Sequence, residues 1–359
     1  MDKPIKVMIV DDSPLMRKIL TSICEQDSRL SVVGTARNGE VALDRIKEYD
    51  PDVVTMDVQM PKMDGLATLK AIIKAHPVPV VMISSVTQKG AQQTFDCLDA
   101  GAVDFVDKPS GGDPQEVEQK AELILDKIVN AAQAKHISRL RLKHTSSNLR
   151  TRTENLIDKS IKSLSPLSER AVAIGISTGG PVSIMEVIPE LPANLPCPVF
   201  MVQHMPPGFT KSFAQRLNDA SQVRVVEAES GDEVLPGTVY LAPGGLHMTV
   251  IKSLISSKVK IRISQIPKGT LHCPSVDVMM SSVAKVYGRQ TLGIIMTGMG
   301  SDGSDGMTEI KKAGGQTIAE HESSCVIYGM PKAVAERGVV DAVVPLHQIA
   351  GQITRRVGT

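Results

Sequence analysis

The sequence predicts an α/β protein built from two doubly wound parallel-sheet domains. Short β-branched runs alternate with amphipathic stretches over residues 1–125, and the same rhythm resumes near 170. In both halves the reactive side chains come directly after a strand, where open α/β sheets hold their ligands. A length of 359 residues fits two domains, each large enough to bury its own core.

The first half yields strands at 5–10, 31–36, 52–57, 78–84 and 103–107. Between them lie amphipathic stretches such as PLMRKILTSICEQ and GEVALDRIKEY, bounded by Gly, Pro and Asp. Five such units with short connections imply one parallel sheet with right-handed crossovers. The second half yields strands at 171–176, 198–203, 238–242 and 291–296. HMTVIKS and VKIRISQ alternate apolar and polar residues across a polar turn, which predicts an antiparallel hairpin.

Between the halves, residues 127–163 hold nine Lys/Arg against two acids, a local +7 in a chain of net +1. ELILDKIVNAAQ keeps helical spacing, whereas HTSSNLRTRTENL is polar and Ser/Thr-rich, as solvated tethers are. A docking segment for an acidic partner is the sharper alternative. The expected organisation is a domain over 1–125, a linker over 126–168 and a second domain over 169–359.

Near-zero net charge offers no general attraction to nucleic acid or anionic lipid. Trp is absent and aromatics make up 3%, so a base-stacking surface is not expected. The five cysteines are scattered and never C-x-x-C, which supports neither zinc nor a disulfide framework. The N-terminus does not read as a signal peptide, and no apolar run approaches the ~20 residues of a membrane span. The expectation is a cytoplasmic protein without direct membrane insertion.

Asp11 and Asp12 follow IKVMIV, and Asp57 ends DVVTM. A parallel sheet brings these ends together, and three carboxylates at one edge repel unless a hard cation sits among them; Mg2+ suits such oxygens. A carboxylate also serves as phosphoryl acceptor once its charge is offset. Ser84 after VPVVMI offers a hydroxyl, and Lys108 in FVDKP a cation for a phosphate oxygen. A cis peptide is expected at Lys108-Pro109, aiming the lysine inward.

In the second half, G-I-S-T-G places Ser177 on a strand-to-helix turn, fitting the pattern G-x-S-x-G. A base and an orienting acid must accompany it. His204 directly ends a core strand and precedes MPPGF; Asp302 follows LGIIMTGMGS. The order Ser177, His204, Asp302 uses three strand ends. The hydrolase order Ser…Asp…His would draft Ser177, Asp302 and His321 or His347 instead. Glycines around Met299 free its N–H for an oxyanion hole. Another reading takes TGMGSDG and GISTGGP as anion-binding turns, making the chain a phospho-switched binding protein without hydrolysis. No helix-turn-helix pattern supports a DNA-binding half.

Residues 4–125, with D-D, D, S and K-P at successive strand ends, resemble the response-regulator receiver family. The resemblance implies a flavodoxin-like domain with Asp57 as phospho-acceptor. It implies Mg2+ held by Asp12, Asp57 and the Gln59 carbonyl, with Asp11 acting through water. Ser84 would shift toward the phosphate, Lys108 would pair with it, and Phe105 would be the rotating aromatic. GISTGGP, QHMPPGFTKSFAQRLN, YLAPGGLHM, PSVDVMMSSVAK, TGMGSDG and SSCVIYGMPKAV resemble the catalytic domain of the chemotaxis protein-glutamate methylesterases. That likeness implies a Rossmann-like three-layer domain without a cofactor. It implies Ser177 as nucleophile, His204 as base, Asp302 as orienter and Met299 at the oxyanion. The implied reaction hydrolyses glutamate γ-methyl esters on chemoreceptor cytoplasmic domains, with deamidation of receptor glutamines in some relatives. The implied phosphodonor is a chemotaxis histidine kinase, and the implied control is inhibition by the unphosphorylated receiver. The chain departs from the family's MDVEMP by Gln59 in MDVQMP, one charge fewer beside the pocket, and carries Ser301 where some relatives have Asn.

Overall fold

The structure, a computed structural model, describes residues 3–85, 87–109, 114–134, 169–253 and 258–358. The first half is a five-stranded parallel sheet of order β2-β1-β3-β4-β5. Its strands are β1 (Ile5–Val10), β2 (Leu30–Ala36), β3 (Val53–Asp57), β4 (Val80–Ser84) and β5 (Asp104–Asp107). The helices are α1 (Pro14–Glu25), α2 (Gly39–Tyr49), α3 (Gly65–Ala75), α4 (Gln88–Asp99) and α5 (Pro114–Gln133). The first four start on side-chain caps, with Ser13, Asn38, Asp64 and Thr87 each accepting an N–H three residues on. Asp11 and Asp57 leave neighbouring strands, β1 and β3, at the point where strand order reverses.

The second half is a seven-stranded parallel sheet of order β14-β13-β12-β6-β7-β9-β8. Its strands are β6 (Ala171–Ile176), β7 (Val199–Gln203), β8 (Arg224–Glu227), β9 (Thr238–Leu241), β12 (Thr291–Ile295), β13 (Gln316–Glu320) and β14 (Ala342–Val344). The antiparallel hairpin of β10 (His247–Lys252) and β11 (Val259–Ser264) forms as expected. The helices are α6 (Gly180–Ile184), α7 (Thr210–Ala220), α8 (Val276–Tyr287), α9 (Ser304–Lys312), α10 (Met330–Glu336) and α11 (Leu346–Val357). Strand order reverses beside β6, so the ends of β6, β7 and β12 surround one crevice.

Three differences from expectation have physical reasons. Helix α5 runs through Gln133, well past 125, because Ile128 and Ala131 are fully buried and Lys127 makes a buried ion pair with Asp104 at 2.5 Å. The remaining linker, 135–168, lies outside the described residues. Strands β8, β13 and β14 join the sheet although they are short and close to its edges. The cis peptides among the described residues are Ile266-Pro267 and Cys273-Pro274, so Lys108-Pro109 is trans and Lys108 reaches inward without that device.

The halves meet through aromatic rings. Phe95 of α4 stacks on Phe213 of α7 at 5.3 Å between centroids, and Phe105 of β5 tilts against Phe209 at 4.7 Å. All four rings are essentially buried, and the whole chain has only five phenylalanines. Arg216 of α7 pairs with Asp99 and, at 3.5 Å, with Asp96, its guanidinium lying over the Phe95 ring. Nearer the second site, Asn130 of α5 donates to the Met299 thioether. Val326 and Ile327 pack on the core that α5 helps to build.

Candidate active site and phosphoryl pocket

In the first half, Asp11, Asp12 and Asp57 each place a carboxylate oxygen within 4.8 Å of the others. Lys108 Nζ donates to Asp57 Oδ2 at 2.7 Å and lies 2.9 Å from Asp11 Oδ2. Among the described residues, the Lys108 ammonium is the one group that meets this buried Asp11 oxygen. Burial raises the Asp57 carboxyl above its ordinary pKa, while Lys108 pulls the other way. Burial disfavours the charged ammonium of Lys108, but its bonds to Asp57 and Asp11 outweigh that and raise it. Three clustered carboxylates facing a single lysine leave net negative charge at an all-oxygen site, which fits a hard divalent cation.

The other expected pocket residues are arranged differently. Ser84 is fully buried and turned toward α4, its hydroxyl accepting from Thr94 Oγ1 at 2.6 Å. Phe105 is 3% exposed, already inward against Phe209. The Gln59 side chain donates to Gln93 Oε1 at 2.8 Å, and its backbone N–H donates to Asp57 Oδ1.

In the second half, Ser177 and His204 follow paired positions on adjacent strands, since Ile176 lies beside Gln203 and His204 N donates to Ile176 O at 3.1 Å. Gly179, at φ +75°, makes the turn after Ser177 that a side chain would strain. Gln203 is 1% exposed and knits the two strand ends, its Nε2 donating to both Ser177 O and His204 O. Beyond β12, Gly298 runs so close to Ser177 that a Cβ there would come 2.8 Å from the Ser177 Cβ. Met299 is the next residue in the chain, and no hydrogen bond of its N–H occurs among the described residues.

Asp302 accepts four hydrogen bonds. Its Oδ2 takes His204 Nε2 at 2.8 Å and Val276 N at 2.8 Å; its Oδ1 takes Ser275 Oγ at 2.9 Å and Asp277 N at 3.0 Å. Burial works against its charge, yet the His204 bond, the nearby imidazole and the N–H groups opening α8 together hold it well below the usual carboxylate range. An anionic Asp302 fixes the His204 proton on Nε2 and leaves Nδ1 as the basic nitrogen. Nδ1 is buried and has no hydrogen-bond partner. This orientation is the reverse of the usual one, in which Nδ1 faces the acid.

His321 and His347, the alternative bases, lie elsewhere. His321 bonds its neighbour Ser323, and His347 lies on α11 beside Gln348. Sequence reasoning missed two residues. Gln203 was hidden inside a strand-end motif. His272 stacks on His204 at 4.2 Å between centroids. Burial, then the nearby His204, push it down to about 4. It sits in a Gly/Pro loop rather than at a strand end, so only its place between two prolines signalled constraint.

The comparisons agree with both halves. The response regulator receiver domain family matches residues 7–122, and the CheB methylesterase family matches residues 172–353. A Symbiobacterium thermophilum protein named protein-glutamate methylesterase/protein-glutamine glutaminase is 44% identical over 359 residues, covering 99% of this chain and 98% of its own. A Pyrococcus abyssi protein of the same name is 44% identical, covering 99% and 94%. The solved Thermotoga maritima CheB methylesterase catalytic domain is similar at TM-score 0.50 and 44% identity, over 52% of this chain and 97% of that one. Along the described residues, no helix is long and apolar enough to cross a membrane. The chain therefore belongs to the CheB methylesterase family, with a response-regulator receiver domain ahead of the catalytic half.

Proposed function

We propose that this chain is a phosphorylation-activated protein-glutamate methylesterase that also deamidates protein glutamines, acting on chemoreceptor cytoplasmic domains. The observation that carries the reading is the bonding of His204: one nitrogen held by Asp302, the other buried and unpartnered beside the Ser177 strand end. Ser177 Oγ attacks the γ-carbonyl while His204 Nδ1 takes its proton, and the Met299 N–H receives the developing oxyanion. Asp302 stabilises the imidazolium. The intermediate collapses as His204 protonates the departing methoxide, releasing methanol; water then hydrolyses the acyl-serine by the same relay. With glutamine the leaving group is ammonia.

In the receiver, Asp12, Asp57 and the Gln59 carbonyl would hold Mg2+, with Asp11 acting through water. When bound, the ion offsets charge on the transferred phosphoryl group. Asp57 accepts that group from a chemotaxis histidine kinase, and Lys108 pairs with a phosphate oxygen. Ser84 then leaves Thr94 for the phosphate, disturbing α4 and with it the Phe95 and Phe213 stack. Control by occlusion is supported by Asn130 on Met299 and by the buried aromatic seam. The test is methanol release from methylated receptor with Mg2+, with and without a phosphodonor. The wild-type chain should respond to the donor and Ser177→Ala should release nothing; release by Ser177→Ala at the wild-type rate would overturn the reading.

A further inference from the structure

The proposed reaction needs the cleft, but the cleft alone does not explain the surface beside it. Among the described residues, the two most exposed large apolar side chains are Leu271 at 83% and Ile266 at 65%. Single exposed apolar residues are ordinary, but these two lie in one ten-residue loop, 265–274, that also carries His272 on the catalytic imidazole. The loop is firmly held. Thr270 Oγ1 bonds His247 Nε2 at 3.2 Å, Gly245 N donates to Cys273 O, and Ser264 Oγ bonds both the N–H and the carbonyl of Ile266.

The hairpin strand β11 runs directly into this loop at Ser264. The hairpin's outward side pairs Ile251 with Lys260 and Thr249 with Arg262, and Ile251 is 45% exposed. Lys260, Arg262 and Lys268 are exposed and form no ion pair among the described residues. Protruding aliphatics accompanied by unpaired cations, on a loop whose His272 stacks on the His204 imidazole, fit a partner with apolar side chains and carboxylates on one face.

Resting on the function proposed above, the geometry points to loop 265–274 and the outward face of the hairpin as the docking lip for the acidic, amphipathic segment of the protein substrate. Leu271 and Ile266 take its apolar side chains, and Arg262 and Lys268 take its glutamates. Hydrolysis turns a neutral ester into glutamate in that segment, so its charge complementarity to the lip increases with each turnover. The lip touches the protein around the ester, not the ester itself.

The test compares two substrates on the phosphodonor-treated full chain: methylated receptor, and a short peptide with one glutamate γ-methyl ester. Leu271→Ser with Ile266→Ser, and separately Lys268→Glu, should raise KM for the receptor about tenfold. Each should leave kcat for receptor and kcat/KM for the peptide within about twofold. Unchanged receptor KM overturns the lip. So does an equal loss on both substrates, which would place the loop's role in supporting His272 and His204, and so does altered self-association in sedimentation, which would mark a contact between copies. Failure of the wild-type chain on both substrates is a different pattern; it takes down the proposed function and the lip together.

Discussion

Replacing Asp302 by Asn keeps the shape of the side chain and removes half of its accepting capacity. The carboxylate serves four donors, two on each oxygen. An amide oxygen placed toward Ser275 and Asp277 leaves an NH2 facing the Val276 N–H and His204 Nε2. One buried backbone donor then goes unsatisfied, a cost of about 1–3 kcal/mol in stability. His204 is driven to the other tautomer, with the proton on Nδ1, and its basic nitrogen disappears from the serine side. Loss of the correct tautomer costs about 10^4 in kcat in the serine-protease triad, so a drop of about 10^3–10^4 is expected here, or about 4–5.5 kcal/mol of barrier. Initial rates of methanol release from methylated receptor measure the first effect and urea unfolding the second. A loss below tenfold, with stability intact, would mean that the imidazole is oriented by something else, and the stacked His272 would be the first suspect.

Opening the aromatic seam with Phe209→Ala and Arg216→Ala should raise unphosphorylated methanol release several-fold, because four buried rings and a charged latch favour the closed state; an unchanged basal rate would argue against occlusion. Gly298→Val should abolish activity at a cost of about 1–3 kcal/mol, since the new Cβ meets the Ser177 Cβ at 2.8 Å; rate assays and thermal unfolding read the two effects. His272 has a depressed folded pKa of about 4 against 6.5. Its contribution is therefore present above about pH 6.5 and lost as pH falls through 4, with an upper bound of about 3 kcal/mol. His272→Gln should flatten the pH dependence of unfolding across that window.

The sequence revealed most where chemistry and strand ends coincide. Asp11, Asp57, Ser177 and His204 all stand at carboxyl ends of buried strands, whose β-branched composition marks them. Asp302 was legible through the glycine-rich loop before it. What escaped depends on tertiary pairing. QTIAE is polar at both ends and joins the sheet only because β12 and β14 flank it. RVVE is a four-residue edge strand beside β9. Helix α5 continues into a basic stretch because the carboxylate of Asp104, distant in sequence, neutralises Lys127. His272 belongs to no periodic element, and its stacking on His204 is fixed by the fold of its loop. Ser84 was identified, but not that Thr94 holds its hydroxyl away from Asp57.

Phe105, the side chain beside the phosphoryl pocket, is itself in ring contact with Phe209 of the catalytic half. Two equilibria joined through one contact must be reciprocal: a factor by which one favours the other acts equally in return. If phosphorylation opens the cleft by breaking that contact, a receptor segment held in the open cleft must stabilise the phosphoryl-receptive form of the receiver by the same free energy. Substrate would then strengthen binding of non-covalent phosphoryl mimics at Asp57, so the receiver would sense receptor occupancy as well as obey the kinase.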